Sequence, residues 1–293
     1  MPQDAHPYRS VLYMPGSRPR ALEKARTLAA DALILDLEDA VAPSEKSNAR
    51  ELVAGAVEAG GYGKRKLLVR VNGFDTEWGE GDIARASAAQ PDAILLPKVE
   101  SPADIARAAL LMAEAGATER VRIWAMMETP RGALNALAIA DSHPRLEGFV
   151  LGTNDLVKDL AAAHTPDRLP LVTSLGLCLL AARAAALVCV DGVYNAFQDT
   201  DGLRAACEQG RDMGFDGKTL IHPDQIAVAN EVFAPSPDAV ELARRQVDAF
   251  AAATARGEGV AVVDGRIVEN LHVVTAKRLI ERAETIAALE AAA

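Results

Sequence analysis

Short apolar runs alternate along the chain with longer segments whose apolar residues recur at helical spacing. Eight such runs, at 10–15, 32–36, 66–72, 93–98, 122–128, 146–155, 187–195 and 217–222, each end in polar residues and each precede a helical pattern. Caps mark several of the helices: Ser17-Arg18-Pro19 opens 21–30, Ser44-Glu45 opens the segment to 58, and Ser101-Pro102 opens 103–115. Strict alternation predicts parallel strands with helical crossovers, and eight units close into an α/β (β/α)8 TIM barrel. An open doubly wound sheet is the weaker alternative, because no Gly-x-Gly-x-x-Gly follows the first strand.

After His222 the rhythm changes. A short helix over 223–232 leads to Pro235-Ser236-Pro237. A long amphipathic helix from 238 to about 256 follows, then a hairpin-like stretch at 259–268 with an Asp264-Gly265 turn, and a last helix over 271–289. The expected division is a barrel catalytic domain at 1–232 and a C-terminal extension at 233–293, which packs beneath its own barrel or reaches a neighbouring subunit.

Composition narrows the function. A chain of 293 residues, half of them hydrophobic, can bury a barrel-sized core. A formal net charge of -10 argues against nucleic acid or an anionic membrane as partner, although a local basic cluster can still take a phosphate. Cys178, Cys189 and Cys207 lack metal-ligand spacing and read as reduced thiols in or near the core. No run reaches 18 uninterrupted apolar residues and no charged-then-apolar leader opens the chain, so the expected location is cytoplasmic.

A barrel gathers the C-terminal ends of its strands around one mouth. Asp36, Arg70, Lys98, Glu128 and Asp155 fall at such ends, separated by 34, 28, 30 and 27 residues, about one strand-helix unit each. Glu128 closes an apolar run, and Pro130 prevents the strand from continuing; the plainer reading is a carboxylate favouring the dipole of the next helix, expected over 131–140. Glu128 and Asp155, one unit apart with no His or Cys nearby, suit Mg2+ or Mn2+, whereas alone Asp155 reads as a turn or N-cap residue. Arg70, inside a buried strand, needs an anion: a substrate carboxylate, or Asp36 or Glu38 on the adjacent strand. Asp36, Glu38 and Asp39 exceed what one ion pair needs, so at least one should steady metal waters or Arg70. Lys98 is either a Schiff-base lysine or, with a metal pair beside it, an electrostatic group. His222 reads as a hydrogen-bonded rim residue. Ser17, Arg18, Arg20 and Lys24 at a helix start suit a phosphate, or form a solvated basic face.

Together these motifs resemble the citrate lyase beta subunits, malyl-CoA lyases and related CoA-ester lyases of the HpcH/HpaI aldolase superfamily. The resemblance runs from about Ser10 to Leu289. It rests on Tyr13-Met14-Pro15-Gly16, Leu35-Asp36-Leu37-Glu38-Asp39-Ala40-Val41, Val69-Arg70-Val71-Asn72, Leu96-Pro97-Lys98-Val99, Met127-Glu128-Thr129, Gly152-Thr153-Asn154-Asp155-Leu156 and Gly217-Lys218-Thr219-Leu220-Ile221-His222-Pro223. The resemblance implies Mg2+ on Glu128 and Asp155, and a keto acid bound at Arg70, Lys98 and the turn Gly152-Thr153-Asn154. It also implies coenzyme A phosphates near Ser17, Arg18, Arg20 and Lys24, and a homotrimer or hexamer. Asp36 and Glu38 are counted with the catalytic groups. In these lyases the hairpin carries an aspartate that moves a proton in a neighbouring subunit's site; here Glu269 stands in its place. Asn195 stands where many relatives have an acid. The expected reaction is carbon–carbon cleavage of a 3-hydroxyacyl-CoA of malyl-, citramalyl- or citryl-CoA type into an acyl-CoA and a 2-keto acid. The alternatives are a malyl-CoA-type thioesterase, a CoA-independent keto-acid aldolase, and a citrate lyase beta subunit active only in a complex.

Overall fold

Eight short parallel strands pair in chain order and close into a barrel, the first bonding to both the second and the last. They are β1 (Ser10–Pro15), β2 (Ala32–Asp36), β3 (Lys66–Arg70), β4 (Ala93–Leu96), β5 (Arg122–Met127), β6 (Leu146–Leu151), β7 (Val188–Asp191) and β8 (Gly217–Leu220). The helices between and after them are α1 (Pro19–Ala25), α2 (Lys46–Ala59), α3 (Gly79–Ala88), α4 (Pro102–Glu114), α5 (Pro130–Leu134), α6 (Ala136–Ala140), α7 (Thr153–Asp159), α8 (Val172–Ala184), α9 (Thr200–Met213) and α10 (Ile226–Phe233). This computed structural model describes residues 6–291 and divides them into two compact units, one over Tyr8–Phe233 and one from Ala234 onward. Among the described residues no helix is long and apolar enough to cross a membrane.

Strand alternation sorts side chains between two cores. Val11, Ala32, Ile34, Leu68, Ala93, Leu95, Trp124, Met126, Val150, Val188 and Val190 point into the barrel, whereas Leu33, Leu35, Val69, Ile94, Ile123 and Phe149 face the helices. The barrel is therefore a packed core, its centre taken by the fully buried Trp124, whose ring lies 5.0 Å from that of Tyr8. Gly148 on β6 makes room for that indole, since a Cβ there would sit 2.8 Å from its ring atoms. The β5–β6 register shifts at the same place, between Ile123 and Trp124.

Three local departures from the sequence reading have visible causes. The first helix stops at Ala25, short of Ala30: the Tyr62 hydroxyl takes the Leu22 carbonyl, and the N–H groups of Arg26, Thr27 and Leu28 turn back to Glu23, Lys24 and Ala25 in tighter i→i−3 bonds. The helical stretch 131–140 is broken at Asn135, whose side chain leaves the helix to donate to the Glu100 carbonyl at 2.8 Å. The run 146–155 leaves the sheet after Leu151, so Asp155 belongs to the first turn of α7 and not to the strand end itself.

The second unit consists of α11 (Pro237–Ala255), β9 (Ala261–Val263), β10 (Arg266–Val268) and α12 (Asn270–Glu290), packed around Ala253, Val263, Val268 and Val273. Asp264 and Gly265 form the two-residue turn with φ of 50° and 73°, the pair of left-handed residues that an antiparallel hairpin favours. Arg245 clamps Asp264 with two hydrogen bonds of 2.7 and 2.9 Å.

The tight seat of Trp124 can be tested directly. Gly148→Ala should lower the denaturant midpoint of unfolding by an amount equivalent to about 1–3 kcal/mol, the usual cost of overpacking a filled core. An unchanged midpoint would show that the indole has slack.

Candidate active site

At the C-terminal mouth of the barrel the inward alternation continues into chemistry. On β2 the series Ala32, Ile34 ends at Asp36; on β3 Leu68 is followed by Arg70; on β5 Trp124 and Met126 are followed by Glu128 just past the strand. A cavity of about 310 Å³ opens there, lined among others by Tyr13, Asp36, Asp39, Arg70, Met126, Glu128 and Gly152 through Asp155. The structure thus brings together the residues singled out on four separate strand-helix units.

Arg70 is the hub. Asp36, its register partner on the adjacent strand, takes the guanidinium fork with bonds of 2.6 and 2.7 Å, while Nη1 meets Glu38 at 2.8 Å and Asp39 at 3.3 Å. Its bidentate edge is therefore occupied by the protein, and Nη1 is the edge that shares its contacts. Tyr13 packs its ring against the guanidinium, 4.8 Å from centroid to Cζ. Asp36 also accepts from the main-chain N–H groups of Glu38 and Ala40, so four donors saturate this buried carboxylate. Such a group positions Arg70 and has little capacity left to react.

Glu128 is buried, and its Oε1 accepts the main-chain N–H of Lys98 at 2.7 Å. To deliver that N–H, Lys98 adopts a left-handed φ of 49°, which costs a residue with a side chain about 1–2 kcal/mol. Gly152 is required beside it, because any Cβ at that position would collide with the Glu128 carboxylate. Burial pushes the Glu128 carboxyl up to about 7, opposed by the Lys98 N–H and Arg70 and assisted by the nearby Asp155. Burial likewise pushes Glu38 up to about 8, although Arg70 pulls the other way.

The remaining expected residues fall in three places. Lys98 lines a neighbouring cavity with Asp75, Glu100 and Lys158. Its pKa is raised, because the surrounding Glu38, Asp155, Glu128 and Asp75 outweigh a burial effect in the other direction; an amine held so firmly charged is unsuited to Schiff-base formation. Arg18, Arg20 and Lys24 are exposed around the start of α1, with Ser17 half-buried, outside the residues that line the cavity; Arg26 instead pairs with Glu23 at 2.9 Å. Glu269 belongs to the second unit, where its N–H donates to His272 Nδ1 at the start of α12. At the rim Asn195 exchanges hydrogen bonds of 2.8 and 3.2 Å with Asn154, and His222 stacks on Phe197 at 4.6 Å.

Sequence reasoning missed Tyr13 and Lys46. Lys46 donates to the carbonyls of Leu37 and Glu38, fixing the acidic loop after β2. Nothing marks Lys46 in the sequence beyond its place near a helix start, but Tyr13 was legible as an inward strand position next to Pro15-Gly16.

The donor set fits a hard divalent cation. Four carboxylates, those of Asp36, Asp39, Glu128 and Asp155, line the cavity against one guanidinium, and no histidine or cysteine is among the described lining residues. Among the described residues no group of three or more His, Cys, Asp or Glu side chains is arranged to enclose a metal, so most of a cation's shell would come from water or substrate oxygens.

Residues 9–223 match the HpcH/HpaI aldolase/citrate lyase family, most of the chain. The chain belongs to that family. Among its relatives, a (3S)-malyl-CoA thioesterase of Cereibacter sphaeroides is 60% identical over 291 residues, covering 99% of this chain and 100% of that protein. An L-malyl-CoA/beta-methylmalyl-CoA lyase of the same species is 35% identical, covering 98% of each chain. Among solved structures, the protein CitE of Mycobacterium tuberculosis in complex with magnesium, acetoacetate and coenzyme A is 29% identical and superposes with a TM-score of 0.77, covering 96% of this chain and 100% of that one. This member of the HpcH/HpaI aldolase/citrate lyase family is accordingly an enzyme of a barrel fold whose relatives handle CoA esters.

Ionising Glu128 in its buried position costs free energy, so its contribution to stability is present below the ordinary carboxyl value of 4.5 and lost as pH rises through about 7. A cation that needs the ionised form should restore it. Mg2+ affinity by calorimetry should be about tenfold weaker at pH 6 than at pH 8, and the thermal shift given by Mg2+ correspondingly larger at pH 8. Equal affinity at both pH values would remove Glu128 from the cation's shell.

Proposed function

We propose that this protein is a Mg2+-dependent enzyme acting on a malyl-CoA-type 3-hydroxyacyl thioester, and that it hydrolyses the thioester to the free hydroxy acid and coenzyme A. The observation that carries the choice of reaction is the 60% identity, over nearly the whole chain, with a (3S)-malyl-CoA thioesterase. That relationship moves hydrolysis ahead of the carbon–carbon cleavage expected from motifs alone. Cleavage to an acyl-CoA and a 2-keto acid is the second reading, favoured by the full-length likeness to a malyl-CoA lyase.

In this reading Glu128 and Asp155 would hold the cation, Mg2+ or in its place Mn2+, which would supply a Lewis acid for the substrate carbonyl. Arg70, locked by Asp36, presents Nη1 to the substrate carboxylate and orients it. The start of α7 contributes the main-chain N–H groups of Thr153 and Asn154, which precede the first intrahelical bond, to the same oxygens, while Gly152, its own N–H taken by the Met127 carbonyl, leaves the space beside them open. Glu38, with its carboxyl near 8, can take a proton from attacking water and return it as the C–S bond breaks and the thiol leaves. Lys98 adds positive potential from the adjoining cavity, and Arg18, Arg20, Lys24 and Ser17 at the start of α1 meet coenzyme A phosphates. Glu269 acts as proton carrier in the cleavage reading, reaching a second copy of the chain in a trimer or hexamer.

Product analysis decides between the reactions. With (3S)-malyl-CoA and Mg2+, mass spectrometry should find malate and free coenzyme A in equal amounts; acetyl-CoA and glyoxylate as the first products would instead establish the lyase reading. Glu128→Gln should lower kcat/KM by at least about a hundredfold, the scale of losing a group that stabilises charge in the transition state. Turnover of that variant at the wild-type rate would dismiss the site.

A further inference from the structure

The cavity is rich in acceptors and poor in donors. Asp36, Asp39, Glu128 and Asp155 supply carboxylate oxygens, whereas a substrate carboxylate or carbonyl needs N–H and O–H groups. Two of the cavity's donors are committed elsewhere: Arg70 to Asp36, Glu38 and Asp39, and the Asn154 amide to Asn195.

Tyr13 differs from them. It lies on the inward face of β1, lines the cavity, and its ring is held against Arg70. Its hydroxyl points at the thioether sulfur of Met126, 3.9 Å away, and Arg70 Nη1 points at the same sulfur from 3.8 Å. A thioether is a weak acceptor. The sulfur thus leaves the Tyr13 hydroxyl poorly satisfied on the cavity wall, beside an Nη1 that already meets Glu38 and Asp39. An oxygen bearing negative charge would bond either donor better than sulfur does. The aromatic ring also explains why the hydroxyl stays in place: a phenol has no rotamer that reaches away while the ring remains stacked on the guanidinium. Burial raises the phenol's pKa and keeps it a neutral donor, able to serve an anion among carboxylates without adding charge.

We propose that Tyr13 is a substrate-binding residue, its hydroxyl and Arg70 Nη1 together receiving one carboxylate oxygen of the hydroxy- or keto-acid part of the substrate. This rests on the reading given under Proposed function and adds a residue to it. The site so formed selects a 2-oxygenated carboxylate over an uncharged acyl chain, because an apolar group there would leave the Tyr13 hydroxyl facing only sulfur.

The test is Tyr13→Phe, which keeps the ring over Arg70 and removes one oxygen. Pyruvate binding in the presence of Mg2+, followed by calorimetry on the full-length protein, should weaken about tenfold to a hundredfold, the effect of losing one hydrogen bond to a charged group. KM for (3S)-malyl-CoA should rise by a similar factor with kcat changed less than about threefold. KM for acetyl-CoA-type esters lacking the carboxylate should not move, which a general loss of packing would not reproduce. Met126→Leu removes the sulfur and leaves the hydroxyl, and should bind pyruvate at least as well as wild type. Unchanged pyruvate binding and KM in Tyr13→Phe, or a tenfold loss in Met126→Leu with none in Tyr13→Phe, would overturn this inference alone. A wild-type protein that neither binds pyruvate nor turns over malyl-CoA would overturn the underlying reading with it.

Discussion

Negative charge collects at the mouth of this barrel faster than the protein neutralises it. Asp36 is matched by Arg70 through a two-bond fork, but Glu38 and Asp39 press on the same guanidinium, and Glu128 and Asp155 face one another's field with Lys98 as the nearby cation. Burial makes each of these charges more costly, which is why Glu38 and Glu128 hold their protons well above the ordinary carboxyl range. A substrate that is itself an anion cannot enter such a pocket on electrostatic grounds unless positive charge comes with it. In this account a divalent cation supplies it, relieving the carboxylates and attracting the substrate at once.

The scaffold is arranged to keep that imbalance in place. A left-handed lysine turns its N–H toward Glu128, a glycine clears the space beside the carboxylate, and Asp36 is saturated by four donors so that Arg70 cannot swing away. Each device uses local free energy to hold a polar group where it is unstable, as expected of a binding site more than of a core. The packed interior below, centred on Trp124, gives the rigid base against which those groups are held.

Much of this was legible in the chain because a parallel barrel leaves a periodic trace. Apolar runs and helix caps marked the eight strands, and the recurrence of Asp36, Arg70, Lys98, Glu128 and Asp155 at unit spacing placed them at one mouth. The Asp264-Gly265 turn was readable from two residues, because few others accept both left-handed positions. Other features depend on distances that periodicity does not carry. Whether Arg70 met a substrate or Asp36 was open from sequence, and register decides that its fork goes to Asp36. The turn that aims the Lys98 main-chain N–H at Glu128 follows from a single positive φ. The break at Asn135 came from a side chain satisfying a distant carbonyl, an interaction without a local signature.

The central claim is that Glu128 and Asp155 grip one hard cation. A crystal structure grown with Mn2+, read by its anomalous scattering, tests it most directly. The account expects one strong peak within about 2.2 Å of a carboxylate oxygen from each residue, with water or substrate oxygens filling the other positions. A peak bound elsewhere, or the two carboxylates turned into separate surroundings with no ion between them, would contradict it.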